Sequence, residues 1–353
     1  MKSRTWFSLH VFCLGWLLVL PLPSQILACT RVVYKGPENT ILTGRTMDFS
    51  MDIPANVWLF PRGMLRSGNV GPNSVSWTSR FGSVATSSWD IATTDGMNEK
   101  GLVANMLWLV NSKYPAFEKN GSKPGLSIAA WAQYALDNFA TVAEAVEAFG
   151  KNEFVVVTDF IPGTDKYTTV HLSLSDASGD SAIFEYINEQ LVIYHDAAYQ
   201  VMTNDPVFEE QLAIKGYWEG IPGNIFLPGS NRAADRFVRA SHYIKAIPQT
   251  SDSRIAAASV LSVIRNVSVP YGISTEDQPH LSSTRWRVVA DQKHLRYYFE
   301  NVLNPNVVWV DLSEVDFESA TAVKKLTLDG DEIFAGEVHE LFQETEPFTF
   351  QGI

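Results

Sequence analysis

After an apolar run over residues 6–22, hydrophobic and polar positions fall into short blocks that predict strands: TRVVY (30–34), TILTGRTMDF (40–49), NVWLF (56–60), SVSW (74–77) and GLVANMLWLV (101–110), with Gly, Pro and Asn clusters between them. The period then lengthens. GLSIAAWAQYALDNF (125–139) carries apolar residues at helical spacing. TVAEAVEAFG (141–150) opens on a Thr141 to Glu144 capping box and stops at Gly150.

A second group of strands follows in EFVVVTDF (153–160), YTTVHLSLSD (167–176), SAIFEYI (181–187), QLVIYHD (190–196) and YQVMTND (199–205). Asp205-Pro206 reads as a helix cap with a first-turn proline. AADRFVRASHYIKAI (233–247) and SRIAAASVLSVIRNV (253–267) each present one apolar face. STRWRVVADQKHLRYYFEN (283–301) and NVVWVDL (306–312) add two or three strands before an acidic tail. Blocks of strands alternating with helix pairs predict an α+β layered sandwich. Without repeats or low-complexity linkers, residues 29–353 read as a single domain.

The first 28 residues read differently. Lys2 and Arg4, the apolar run and a closing Ala28 form the three-part pattern of a secretory leader removed after Ala28, and two prolines end the run too early for a comfortable membrane span. The expected location is therefore periplasmic or secreted, with no membrane attachment after processing. Cys13 lies in this leader, so the exported chain keeps Cys29 alone and forms no internal disulfide. Its stability must come from a core, for which 46% hydrophobic residues are ample. The net charge of −12 becomes −14 once Lys2 and Arg4 are gone, which argues against a nucleic-acid partner.

A cysteine exposed as the first residue owns a thiol and a free α-amine. The amine titrates at about 7.7–8.0 and can take the proton of a thiol near about 8.5, so one residue holds both nucleophile and base. Two other readings of position 29 stand beside this one. A chain must begin somewhere, and ILAC partly resembles a lipobox, whose cysteine would be lipidated and would anchor an extracytoplasmic binding protein.

Arg45 and Asp48 follow Cys29 on a strand that turns back beside the first. DGMNEKGL (95–102), TNDP (203–206) and LPG…AADRFVRA (227–240) come next in order. With an N-terminal cysteine, this series resembles the choloylglycine hydrolase family, also called the conjugated bile acid and penicillin V acylases, of the N-terminal-nucleophile hydrolases. The resemblance runs from Cys29 to about Leu312. It implies that Cys29 is the nucleophile and its amine the base. Arg45 would lie near the sulfur, Asp48 would hold the amine or thiol by hydrogen bonding, Asn204 would donate to the oxyanion, and Arg236 would support the nucleophile's surroundings. A lipidated thiol could not attack a carbonyl, so this pattern opposes the anchored reading.

One position departs from the family. Where many members carry Asn after NEKGL, this chain reads NMLWL with Trp108, whose ring would form pocket wall and whose backbone N–H would point at the oxyanion. That substitution resembles the exported Gram-negative branch, which favours penicillin V or acyl-homoserine lactone amides over bile salts. Phe49, Trp58, Met51 and Trp89 are further candidates for an acyl pocket. The histidines lack metal spacing, and a Cys29 pairing with His171 or His195 is the remaining rival within hydrolase chemistry. The resemblance thus implies a four-layer αββα sandwich that hydrolyses a linear amide with an apolar or aromatic acyl group. It needs no metal or other cofactor, and relatives suggest a homotetramer.

Overall fold

The computed structural model describes residues 29–273, 282–304, 306–318, 321–328 and 332–353. The proposed leader lies outside the described residues. Two strands open the chain, β1 (Thr30–Gly36) and β2 (Thr40–Phe49), paired antiparallel with Arg31 opposite Arg45 and Val32 opposite Gly44. They sit inside a seven-stranded sheet whose order is Val201–Thr203, β1, β2, Ser283–Asp291, Arg296–Asn301, Val308–Asp311 and Gly336–Glu337. Every residue of β2 is buried, as expected of a strand covered on both faces.

The second sheet has nine strands. From one edge to the other they are Gln190–His195, Ser181–Ile187, Val170–Ser175, Val103–Trp108, Ala92–Asn98, Ser83–Ser88, β3 (Val57–Phe60), Lys324–Leu326 and Gln343–Glu344. Helices α1 (Trp131–Asn138) and α2 (Val142–Gly150) lie against this sheet. Helices α3 (Phe208–Glu219), α4 (Ala233–Ala246) and α5 (Ser253–Asn266) lie on the side of the seven-stranded sheet, where α4 and α5 pack on β1 and β2. The layers therefore run helix, sheet, sheet, helix, which is the αββα order implied by the resemblance.

Side-chain alternation along β1 and β2 decides what each layer sees. Arg31, Thr43 and Arg45 point between the sheets: Arg31 donates to Leu174 O (3.2 Å), Thr43 Oγ1 meets Ser175 Oγ (2.7 Å) and Arg45 reaches Met106 O (2.7 Å). Gly44 faces α5 instead, and a Cβ there would lie 2.7 Å from Val260 Cγ1 and 3.0 Å from Ile264 Cγ2. The glycine lets helix and sheet approach each other at this point.

Several expected elements differ in detail. SVSW supplies only Ser76–Thr78, half of a two-stranded ribbon with Leu65–Ser67. Ser83–Ser88 and Ala92–Asn98 are strands of the large sheet that the sequence does not announce, because their Ser, Thr and Ala residues carry little apolar contrast. Residues 125–130 form a short strand and a 3₁₀ turn before α1 begins at Trp131. Thr141 caps α2 by accepting from Glu144 N (3.2 Å), while Glu144 reaches back to Ala140 N (2.8 Å). Asp205-Pro206, expected to start a helix, is a cis peptide before it; α3 begins at Phe208, whose N–H is received by Glu185 from the neighbouring sheet.

Gly44→Ala is expected to lower stability by about 1–3 kcal/mol, the usual cost of overpacking a filled core. Thermal unfolding followed by circular dichroism should show a melting temperature several degrees lower. An unchanged transition would mean that α5 can move away from β2 freely.

Candidate active site

Cys29 is buried at the head of β1. Its backbone nitrogen donates to Asn204 Oδ1, and its sulfur lies 4.0 Å from Arg45 Nη2, 4.0 Å from Met47 Sδ and 3.8 Å from Asp48 O. Both arginines singled out in the sequence converge here from different layers. Arg45 comes from the inter-sheet face of β2; Arg236, on α4, comes from the helix side and donates to Cys29 O (2.6 Å), Thr30 Oγ1 (2.5 Å) and Asn204 Oδ1 (2.9 Å). The nucleophile candidate is thus gripped through nitrogen, carbonyl and sulfur by three side chains distant in sequence.

Each of these two buried guanidinium groups has a buried carboxylate near it. Arg45 Nη1 lies 3.5 Å from Asp95 Oδ2, and Arg236 Nη1 lies 3.8 Å from Asp48 Oδ2. A buried charge without such a partner would cost several kcal/mol. Arg45 also lies over the Trp286 ring, with Cζ 4.5 Å from its centroid.

Arg45 and Asp48 are three residues apart on a strand, so they occupy opposite faces. The role expected of Asp48, holding the amine or thiol by hydrogen bonding, is not one that its contacts here display. Its carboxylate instead accepts from Thr46 (3.1 Å) and Thr284 (2.5 Å) and pairs with Arg236, so that it supports the arginine that holds Cys29.

The geometry of Asn204 adds to the role expected for it. Its Oδ1 accepts from both Cys29 N and Arg236, and its Nδ2 donates one hydrogen to Trp108 O (2.8 Å). A side-chain amide carries two such hydrogens, so one is not used in the bond to Trp108. At Trp108 the group that meets Asn204 is the backbone carbonyl, where the sequence reading expected the N–H to serve. Gln211 of α3, fully buried and missed by sequence reasoning, staples this loop: it accepts from Thr203 N (3.1 Å) and donates to Asn204 O (3.0 Å) and Pro206 O (2.7 Å).

The sulfur lies on the wall of a largely apolar pocket of about 790 Å³ counted out to its mouth. Phe49 forms one wall, with the rings of Trp89 and Trp108 edge-on to it at 6.4 Å each; Met47, Ile53 and Ile161 complete much of the surface. Trp58 does not line this pocket. It stacks on Phe60 (5.8 Å) and contacts Phe348 (5.1 Å) in a separate small core, with its indole N–H on Asp90 Oδ1 (2.9 Å). Trp58 occupies the next strand of the other sheet, and its register with Ala85 turns it away from the cleft. Met51, partly exposed, is outside the lining as well. His171 pairs with Glu185 Oε1 (2.8 Å) and His195 with Asp180 Oδ2 (2.8 Å), neither at Cys29.

Asp95, Asn105, Tyr297 and Thr284 also belong to the site and carried no role in the sequence reading. Asp95 accepts from Asn105 Nδ2 (2.7 Å) and Tyr297 OH (2.7 Å). The only signal for it was its place in DGMNEKGL.

The linear amide C–N hydrolase, choloylglycine hydrolase family model matches residues 29–325. The chain is 47% identical to a penicillin V acylase of Pectobacterium atrosepticum, with 97% of each chain covered. A solved structure of penicillin V acylase from Agrobacterium tumefaciens matches with a TM-score of 0.86 and 57% identity, over 92% of this chain and 100% of that one. A bile salt hydrolase/transferase of Clostridium perfringens is 24% identical over 86% of this chain and 95% of its own. A solved conjugated bile acid hydrolase from that species shares the fold, with a TM-score of 0.73 at 20% identity over 85% of this chain and 97% of that one.

Burial pushes both Asp48 and Asp95 up to about 6, against the lowering effect of their arginines and hydrogen-bond donors. A carboxyl raised in the fold stabilises the protein below its unfolded value near ~3.9. That contribution is lost as pH climbs through about 6. The charges that balance Arg236 and Arg45 are therefore complete only above about 6. Thr284→Val removes a donor that favours ionised Asp48, so the acid limb of kcat/KM for amide hydrolysis should move to higher pH by roughly half a unit to one unit. A pH-rate profile of the variant checks this; an unmoved limb would separate Asp48 ionisation from turnover.

Proposed function

The chain belongs to the linear amide C–N hydrolases of the choloylglycine hydrolase family, and from that premise we propose that it cleaves penicillin V-like amides with Cys29 as an N-terminal nucleophile. The observation that carries this reading is the position of Cys29, whose sulfur borders an apolar pocket while its nitrogen and carbonyl are held by Asn204 and Arg236. The family match beginning at Cys29 supports it as well.

The proposed reaction starts with removal of the leader after Ala28, which turns the Cys29 nitrogen into a free amine. That amine takes the thiol proton, and the sulfur attacks the amide carbon to form an S–C bond. Negative charge collects on the carbonyl oxygen, where the remaining Asn204 N–H donates. The ammonium returns its proton to the departing nitrogen as the C–N bond breaks, leaving a thioester. Water, deprotonated by the same amine, then attacks the thioester; the acid leaves and the thiol is restored.

Arg45 lies beside the sulfur, with Nη2 4.0 Å away, so its charge faces the point from which the attack proceeds. The acyl part of the substrate would lie against Phe49, Trp89 and Trp108, which suits a phenoxyacetyl group. Identity of 47% to a penicillin V acylase against 24% to a bile salt hydrolase/transferase favours that substrate class over bile amides. Acyl-homoserine lactones present the same amide with a linear acyl group and are the second substrate class. On this reading the leader would direct the enzyme to the periplasm or outside the cell, and a homotetramer is its proposed assembly.

Cys29→Ala should reduce turnover of penicillin V by at least about 10³-fold while leaving the melting temperature close to wild type. The intact mass of the exported protein should correspond to residues 29–353 without an acyl or diacylglyceryl increment; a lipid increment would instead support the anchored binding protein. In a panel of phenoxyacetyl, acyl-lactone and glycine-conjugated bile amides, faster cleavage of the bile amide would overturn the substrate ranking.

A further inference from the structure

Gln351 lies outside the stretch matched by the family model, which ends at residue 325, yet it lines the pocket beside Cys29. Its hydrogen bonds reach three separate walls of that pocket. The backbone N–H donates to Ile91 O (2.8 Å), the backbone carbonyl accepts from Ser127 Oγ, and the side-chain Nε2 donates to Asp159 Oδ2 (3.0 Å) and Phe160 O (2.7 Å). Ile91, Ser127 and Asp159 are themselves lining residues.

The third wall is a hairpin over residues 158–168. It is closed by Thr168 N on Asp159 O (2.8 Å) and Ile161 N on Lys166 O (2.8 Å), with Phe160 and Tyr167 stacked at 4.3 Å on its outer side. Ile161, buried, and Pro162 face the pocket from it. Gln351 is in turn held by its own segment. Phe348 packs against Trp58 and Phe60, and buried Phe350 packs against Phe348 (5.4 Å) and lies under the Arg66 guanidinium (5.6 Å).

We propose that Gln351 is a specificity-determining residue that sets the acyl capacity of this pocket by clamping the 158–168 hairpin to the walls at Ile91 and Ser127. The proposal rests on the reading of this pocket as the acyl site. The side-chain amide supplies the ties to the hairpin, while the backbone ties at Ile91 and Ser127 survive any substitution. Loss of the amide therefore frees one wall alone. A short rigid aryl acyl group then loses contact, and a long flexible one gains room. Because the hydrogen bonds of Arg45, Arg236 and Asn204 at Cys29 run to residues other than Gln351, the effect is expected on binding rather than on chemistry.

The test compares wild type, Gln351→Ala and Gln351→Glu on phenoxyacetyl and decanoyl amides of the same amine. Gln351→Glu keeps the side-chain volume, removes the donor and sets a second carboxylate against Asp159. Both variants should lose about tenfold in kcat/KM for the phenoxyacetyl amide, through KM with kcat nearly held, and the decanoyl to phenoxyacetyl ratio should rise. Alkylation of Cys29 by iodoacetamide, followed by mass, should proceed at the wild-type rate. Equal losses on both substrates, or a fall confined to kcat, would overturn the clamp. Failure of wild type to hydrolyse either amide would instead overturn the underlying reading, so the two failures are distinguishable. If Gln351→Ala does not fold, the glutamate variant decides on the same ratio.

Discussion

Two guanidinium groups buried beside one cysteine set the terms for the rest of this molecule. Arg45 and Arg236 lie without solvent exposure on opposite faces of the same sheet, with the backbone and sulfur of Cys29 between them. Such charges are costly to bury, and a nearby carboxylate with enough acceptors offsets that cost. Asp95, from the second sheet, answers Arg45, while Asp48, on β2, answers Arg236. The face-to-face packing of the sheets and the seating of α4 are therefore bound up with the electrostatics of a single residue.

The strand β2 mediates this arrangement through alternation. Arg45 and Met47 face the second sheet and the sulfur; Asp48 faces the helices. A bulge in the neighbouring strand extends the pattern, because Thr284 pairs with Asp48 and Trp286 with Met47, two residues of one strand opposing one step of the other. Thr284 can thereby bond Asp48 on the helix face while Trp286 lies over Arg45 on the inner face. In an unbroken strand both side chains would share a face, and one arginine environment would lose its partner.

The cluster around Cys29 and the pocket differ in where their parts come from. Cys29, Arg45, Asp95, Asn204 and Arg236 all lie within the stretch that the family model matches. Part of the pocket wall comes from Gln351 beyond that stretch, and the aromatic contacts of Phe348 and Phe350 fix it there. Trp58, one of the strongest aromatic candidates in the sequence, contributes at one remove, by anchoring the segment that carries Gln351.

Local sequence determined the strands with clear apolar contrast and the helices 233–246 and 253–266, because periodicity is a property of nearby positions; Cys29, Arg45, Asp48, Asn204 and Arg236 stood out only through the resemblance carried by the order of their motifs. It could not reveal Ser83–Ser88 or Ala92–Asn98, whose small polar residues become strands only when two neighbours supply hydrogen bonds. Nor could it say what Arg45 and Asp48 meet on the two faces of their strand, place Trp58 outside the pocket, or link Gln351 to the cleft. Those assignments depend on register, on a bulge and on contacts between residues hundreds of positions apart, and such distances are defined only once the sheets have stacked.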